Sequence, residues 1–167
     1  LTRLGDMEDY PQSLMWKDYF LLVLFTGLRR MEAASLPWKN VDFKEKTFIL
    51  HNTKNRENHT LPMSDFLYDL FWRRHQFKIN EFVFPASSKT GHIVEPRKAM
   101  LKVAKLSGVP FTVHDLRRTF ATIAESLDLP AYAVKRLLNH KMTNDVTAGY
   151  IIRDVERLRK PMQRITD

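Results

Sequence analysis

The stretch Ser13 to Thr26 constrains the fold more than any other part of the chain. After its first turn it is apolar on nearly every side, through Leu14, Met15, Trp16 and the run Tyr19 to Phe25. A helix that is hydrophobic all round leaves no face for water, so other elements must enclose it. Gly27 follows and stops it, as glycine commonly does at helix ends. The chain is therefore expected to wrap a central helix. The apolar run itself is too short to cross a bilayer, which takes about 20 residues, and no membrane partner is expected.

The rest of the sequence supplies the wrapping. A short helix after Gly27 ends before Pro37. From Val41 to Met63 the residue types turn β-like: Phe48 to His51 and Thr60 to Met63 flank the polar, turn-rich stretch Asn52 to Asn58. That pattern predicts a β-hairpin with a wide loop. Ser64 offers an N-cap for a helix to about Phe77, with Leu67, Leu70, Phe71 and Arg74 along one side. A short extended piece at Phe82 to Pro85 and a loop at Ser87 to His92 come next. Further helices are expected at Pro96 to Leu106, Asp115 to Leu127, Pro130 to Leu138 and roughly Asn144 to Tyr150. The fold class is mainly α with a small antiparallel β-sheet, that is α+β.

The 167 residues, 44% of them hydrophobic, fit one compact domain. The chain begins on Leu1 rather than methionine and shows no leader, so a fragment of a longer protein is expected. With no cysteine, disulfides and thiolate metal sites are excluded. Carboxylates do not cluster and no H-E-x-x-H occurs, so neither a metal nor another cofactor is expected. Charge points to a partner: 27 Lys and Arg against 19 Asp and Glu give +8. That balance suits a polyanion, because each neutralised phosphate releases condensed counterions. The excess is uneven, with Arg153, Arg157, Arg159, Lys160 and Arg164 crowded near the end. Val155 and Leu158 lie among them; a frayed, solvated tail is one reading of that stretch.

Four islands of polar residues interrupt this structural text. In Thr26 to Glu32, Arg29 and Glu32 are three apart and share a helical face; alone, such a pair reads as an ion pair. In Phe111 to Phe120, His114 lies opposite the apolar stripe Leu116, Phe120, Ile123, Ala124 and Leu127, while Arg117 lies on its border. An arginine so placed offers a planar fork that matches a phosphate bidentately, which lysine cannot. His140 closes a helix in Leu137 to His140, where it can simply offset the last carbonyls. Tyr150, beside Ile151 and Ile152, reads alone as a rim aromatic.

Taken together and in order, these boxes resemble the catalytic domain of the tyrosine recombinase, or phage integrase, family. Thr26-Gly27-Leu28-Arg29-Arg30-Met31-Glu32, followed by Leu36-Pro37-Trp38, is similar to that family's first arginine box. His114-Asp115-Leu116-Arg117-Arg118-Thr119-Phe120-Ala121-Thr122 is similar to its second, and in Leu137-Leu138-Asn139-His140 the histidine precedes Tyr150 by ten residues, a variation on the shorter interval common in the family. The resemblance covers residues 1–152. It implies that Arg29 and Arg117 clamp a phosphate, that Glu32 supports Arg29, and that His114 and His140 line the same pocket. Arg30 and Arg118 would contact or support DNA. The hairpin lysine falls at Lys54, with Arg56 and Lys46 as rival cations, and the nucleophile at Tyr150.

The activity implied is metal-independent site-specific recombination through a 3′-phosphotyrosyl intermediate, on double-stranded DNA and in the service of a mobile element. Tyr150 attacks phosphorus, His114 takes its proton, and Lys54 protonates the departing 5′ oxygen. The resemblance also implies a tetramer on paired sites for a full-length protein, a monomer being compatible with the isolated piece. An N-terminal core-binding domain is expected outside this sequence, and residues 153–167 become a basic segment able to dock on a neighbouring protomer. Cytoplasmic action on the nucleoid, in a bacterium or from a phage gene, is the expected setting. Two competing readings stand beside this one: a type IB topoisomerase-like enzyme, distinguished by acting without partner exchange, and a helical domain that grips DNA without cutting it.

Overall fold

The computed structural model describes residues 12–51, 53, 58–140 and 155–167. The central helix is α1 (Gln12–Thr26), with Tyr19, Leu22 and Val23 wholly enclosed. Asp18 is buried on the same helix, where Arg73 donates to its carboxylate at 2.9 Å and Arg74 lies 3.9 Å away. A buried charge is tolerable only when it is paired in this way. Around α1 come α2 (Arg30–Ala34), a 3-10 turn (Trp38–Asn40), β1 (Val41–Asp42), β2 (Thr47–Leu50), β3 (His59–Pro62), α3 (Asp65–Gln76), α4 (Arg97–Ser107), α5 (Val113–Ser126), α6 (Ala131–Leu137) and α7 (Glu156–Thr166). The class is mainly α with a small antiparallel sheet, as the sequence pattern predicts.

The sheet has the order β1-β2-β3, both pairs antiparallel. Phe48 stands opposite Leu61, and Leu50 opposite His59. Alternation along a strand sends these four side chains to one face, and all four are buried. The sheet's inner face therefore contains a histidine. In α3, Ser64 caps the helix by accepting from the Leu67 amide, and Leu67, Leu70, Phe71 and Arg74 are buried.

One boundary differs from expectation for a local reason. Helix α5 begins at Val113, two residues before Asp115. Thr112 accepts from the Asp115 amide at 3.2 Å while the Asp115 carboxylate accepts from the Thr112 amide at 2.9 Å. This reciprocal box gives acceptors to two amides at the helix start and starts the helix early. His114 thus falls in the first turn.

From Glu156 on, the basic C-terminal stretch is helical rather than frayed. Leu158, Pro161, Met162 and Ile165 recur at i, i+3, i+4 and i+7 and are buried, packing α7 against α1, β3, α5 and α6. Its arginines supply anchors: Arg159 donates to the carbonyls of Glu45 and Lys46, and Arg164 to that of Leu127. The helix expected near Asn144 to Tyr150 lies outside the described residues. Among the described residues, no helix is long and apolar enough to cross a membrane.

Candidate active site

The site grows from the point where α1 ends. Gly27 has φ +64°, and a Cβ there would stand 2.7 Å from both Leu138 and Phe120. The end of α1, the middle of α5 and the end of α6 therefore meet at a spot with no room for a side chain. Arg117, on α5, sits against this junction. Its Nη1 donates to the Gly27 carbonyl, and its Nη2 donates to the Leu138 carbonyl at 2.7 Å. Two helix-terminal carbonyls thus hold the half-buried guanidinium in one orientation. Carbonyls at helix ends lack intrahelical donors and carry partial negative charge, which suits a cation.

Arg29 is set by a different device. It precedes α2 with an extended backbone (φ −71°, ψ 152°). Glu32 accepts from the Arg29 amide at 3.0 Å and from its Nη1 at 2.8 Å. One carboxylate therefore fixes both backbone and side chain of Arg29. From the core side, the Tyr19 hydroxyl donates to the Arg30 carbonyl at 3.1 Å and ties α2 to α1. Burial first, then the charge of Arg29, lowers the pKa of Arg117, with Glu32 acting in the opposite sense. Arginine stays cationic regardless. Two guanidiniums are thus held within electrostatic reach of each other, with the Glu32 carboxylate beside them. An anion placed between them turns their mutual repulsion into attraction.

His140 joins this pair. Burial first, then Arg117, Arg29 and Lys135, lower its pKa and favour the neutral ring. Asn139, in the left-handed region at φ +51°, turns the chain after α6 so that the His140 amide returns to the Lys135 carbonyl at 2.9 Å. His114 stands one turn ahead of Arg117 on α5 and is exposed. Arg118 points outward, 73% exposed, with Asp115 at 3.8 Å. Arg30 is also exposed and reaches Glu95 at 3.4 Å. Lys46, one rival cation, lies 3.6 Å from Asp65 and over the Tyr68 ring, and its carbonyl accepts from Arg159. Lys54, Arg56 and Tyr150 lie outside the described residues. Among the described residues, no cluster of three or more His, Asp or Glu is placed to hold a metal ion.

One buried residue beside this group escaped the sequence reading. His59 of β3 is 8% exposed, and its Nε2 lies 2.9 Å from the Arg136 carbonyl. A carbonyl only accepts, so Nε2 carries the proton. Burial pushes its pKa down to about 4, and Glu32, Arg136 and Arg117 all bear on it electrostatically. The signal was present: in a period-2 strand His59 shares the face of Leu61, which is the core face.

These residues stand in a chain that belongs to the phage integrase family, whose sequence description matches residues 1–157. It is similar to the prophage integrase IntF of Escherichia coli K12, with 32% identity over 153 residues, which is 88% of this chain and 33% of that protein. The integrase of Shigella phage Sf6 is 32% identical over 133 residues, 75% of this chain and 34% of its own length. The chain thus spans about a third of these relatives. Among solved structures, the integrase from mycobacterium phage Brujita superposes with a TM-score of 0.73 at 20% identity, over 99% of this chain and 61% of that one. The XerH site-specific recombinase in a post-cleavage complex with palindromic difH substrate gives 0.63 at 19% identity, over 91% and 46%. The fold is that of these recombinases.

Proposed function

We propose that this chain is the DNA-cleaving and rejoining part of a site-specific recombinase that acts through a 3′-phosphotyrosyl intermediate. The observation that carries the reading is the convergence of Arg29 with its Glu32 brace, Arg117 on its two carbonyls, and His140. A phosphodiester under attack gains negative charge on its non-bridging oxygens. Preorganised guanidiniums and a neutral imidazole N–H stabilise that charge without a metal ion, at no reorganisation cost during the step. Tyr150 is the nucleophile: its phenolic oxygen bonds to phosphorus as the P–O5′ bond breaks. The phenol has an ordinary pKa of about 10 and needs a base, for which the exposed His114 is placed at the start of α5. The 5′ oxygen leaves as a hydroxyl with a proton from Lys54. Arg30 and Arg118, both exposed, face outward as backbone-phosphate contacts.

Double-stranded DNA is the partner, and assembly of four protomers on paired sites is the exchange-competent state. The DNA complex of XerH and the family relationship support the DNA partner. Docking of α7 on a neighbouring protomer in such an assembly requires it to leave the face it covers on its own body. The relatives are about three times longer, and selecting and clamping a DNA site is assigned to residues other than these, which bind DNA weakly by themselves.

The test uses the full-length protein on nicked attachment-site DNA, with covalent adduct scored on a denaturing gel in the presence of EDTA. Wild type is expected to give an adduct that maps to Tyr150. Tyr150→Phe is expected to bind DNA but give none; an adduct in that variant, or dependence on added metal, would overturn the assignment. Lys54→Ala is expected to recover on a 5′-bridging phosphorothioate, whose thiolate leaves without a proton. Recovery confined to Arg56→Ala would reassign the acid.

A further inference from the structure

Both ends of the β2–β3 connection are fastened to the end of α6. At one end, the Asn139 side-chain amide donates to the Thr53 hydroxyl at 2.9 Å. At the other, His59 donates through Nε2 to the Arg136 carbonyl at 2.9 Å. Thr53 and His59 are both buried, at 5% and 8% exposure. Nothing in the β-ladder requires these contacts, since β2 and β3 already pair from Thr47–Pro62 to Leu50–His59. Thr53 lies beyond the ladder and His59 is its last pair, and their contacts reach residues 86 and 77 positions away in the chain.

We propose that Thr53 and His59 are positioning residues, a two-point latch that ties the two flanks of the β2–β3 connection to the His140 turn. The residue after Thr53 is Lys54, and the residue after Asn139 is His140. Each latch point therefore sits one covalent step, or one helical turn, from a residue with a chemical task. Asn139 has φ +51°, a conformation that asparagine tolerates and most residues resist. Its side-chain bond to Thr53 helps to hold that turn and thereby the direction of the His140 ring. On the far side, the His59 imidazole is uncharged near neutral pH because burial disfavours the imidazolium, so it serves as a fixed N–H donor. Its Nδ1 is buried with no hydrogen-bond partner among the described residues.

The inference rests on the recombinase reading, and its test separates the two. The variants are Thr53→Val against Thr53→Ser, and His59→Leu against His59→Gln, all in the full-length protein. Serine keeps the hydroxyl, and glutamine places an amide N–H near the position of Nε2. Single-turnover cleavage is measured on ordinary nicked DNA and on the 5′-bridging phosphorothioate. Valine and leucine variants are expected to cleave ordinary DNA roughly 10- to 100-fold more slowly, the scale of a small misplacement of catalytic groups. On the phosphorothioate the deficit is expected to shrink to within about threefold, since proton delivery to the leaving group no longer matters. Serine and glutamine variants are expected to stay close to wild type on both. Equal deficits on the two substrates, or no deficit on either, would overturn the latch. Hydrogen exchange supplies a readout independent of activity. The valine and leucine variants are expected to speed amide exchange of the β2–β3 connection and of Asn139 and His140 together, and exchange that changes on one side only would also overturn it. If wild type makes no adduct, the recombinase reading fails while the exchange result still decides the latch.

Discussion

Replacing Gly27 with alanine isolates what the site demands of its foundation. Two costs combine there. The backbone at φ +64° lies in the left-handed region, where a Cβ costs about 1–2 kcal/mol per residue. Alanine returns roughly 0.4–1 kcal/mol by restricting the unfolded chain, leaving a net cost of about 1 kcal/mol. The second cost is steric: the new Cβ would stand 2.7 Å from Leu138 Cδ2 and Phe120 Cδ1, and overpacking of a tight core costs about 1–3 kcal/mol. Gly27→Ala is thus expected to lose about 3 kcal/mol. For a domain of this size that is roughly 6–12 °C in Tm. Gly108 provides the control, since its φ is +71° and nothing lies within 4 Å of the added Cβ. Gly108→Ala should lose only about 1 kcal/mol. Urea unfolding at neutral pH checks both, with the midpoint falling while the m-value stays constant. Because the Gly27 carbonyl also accepts from Arg117, Gly27→Ala should slow cleavage as well, and Gly108→Ala should not. Equal losses of stability would refute the claim that close packing of three helix segments, rather than backbone conformation alone, requires glycine at Gly27.

His59 makes stability pH-dependent in one direction. Its folded pKa is about 4 against 6.5 unfolded, so below pH 6.5 the unfolded chain binds a proton that the folded chain refuses. About 3 kcal/mol of stability is therefore lost progressively as pH falls from 6.5 to 4. The stability advantage of wild type over His59→Gln should shrink by that amount across the window; parallel urea curves would contradict it. Arg117→Lys keeps the charge but loses the fork that bonds the Gly27 and Leu138 carbonyls. Cleavage should fall about 100- to 1000-fold, the effect of removing one preorganised donor, with DNA affinity changed much less; a variant within tenfold of wild type in single-turnover cleavage would argue against a clamp.

Much of this protein is legible from sequence because its helices carry strong local signals. The apolar run of α1, the Ser64 cap and the spacing of Leu67, Leu70 and Phe71 specify their elements without reference to anything distant. Arg29 and Glu32 are three residues apart, so their pairing is local as well. The early start of α5 was missed because a capping box at Thr112 and Asp115 outweighs the apolar periodicity that begins later. The C-terminal helix was obscured because its basic residues dominate the text, while the stripe of Leu158, Pro161, Met162 and Ile165 gains meaning only once a groove exists to receive it.

Sequence by itself determined the class of fold and the pairing of Arg29 with Glu32, since each depends on signals within a few positions of one another. Tertiary structure alone decided what orients Arg117: carbonyls at Gly27 and Leu138, 90 and 21 residues away, which no side-chain pattern announces because the acceptors are backbone. It also decided that His59 and Thr53 meet the end of α6. A hydrogen bond needs two groups at about 3 Å, and over such separations only the packing of the whole chain around α1 brings them there.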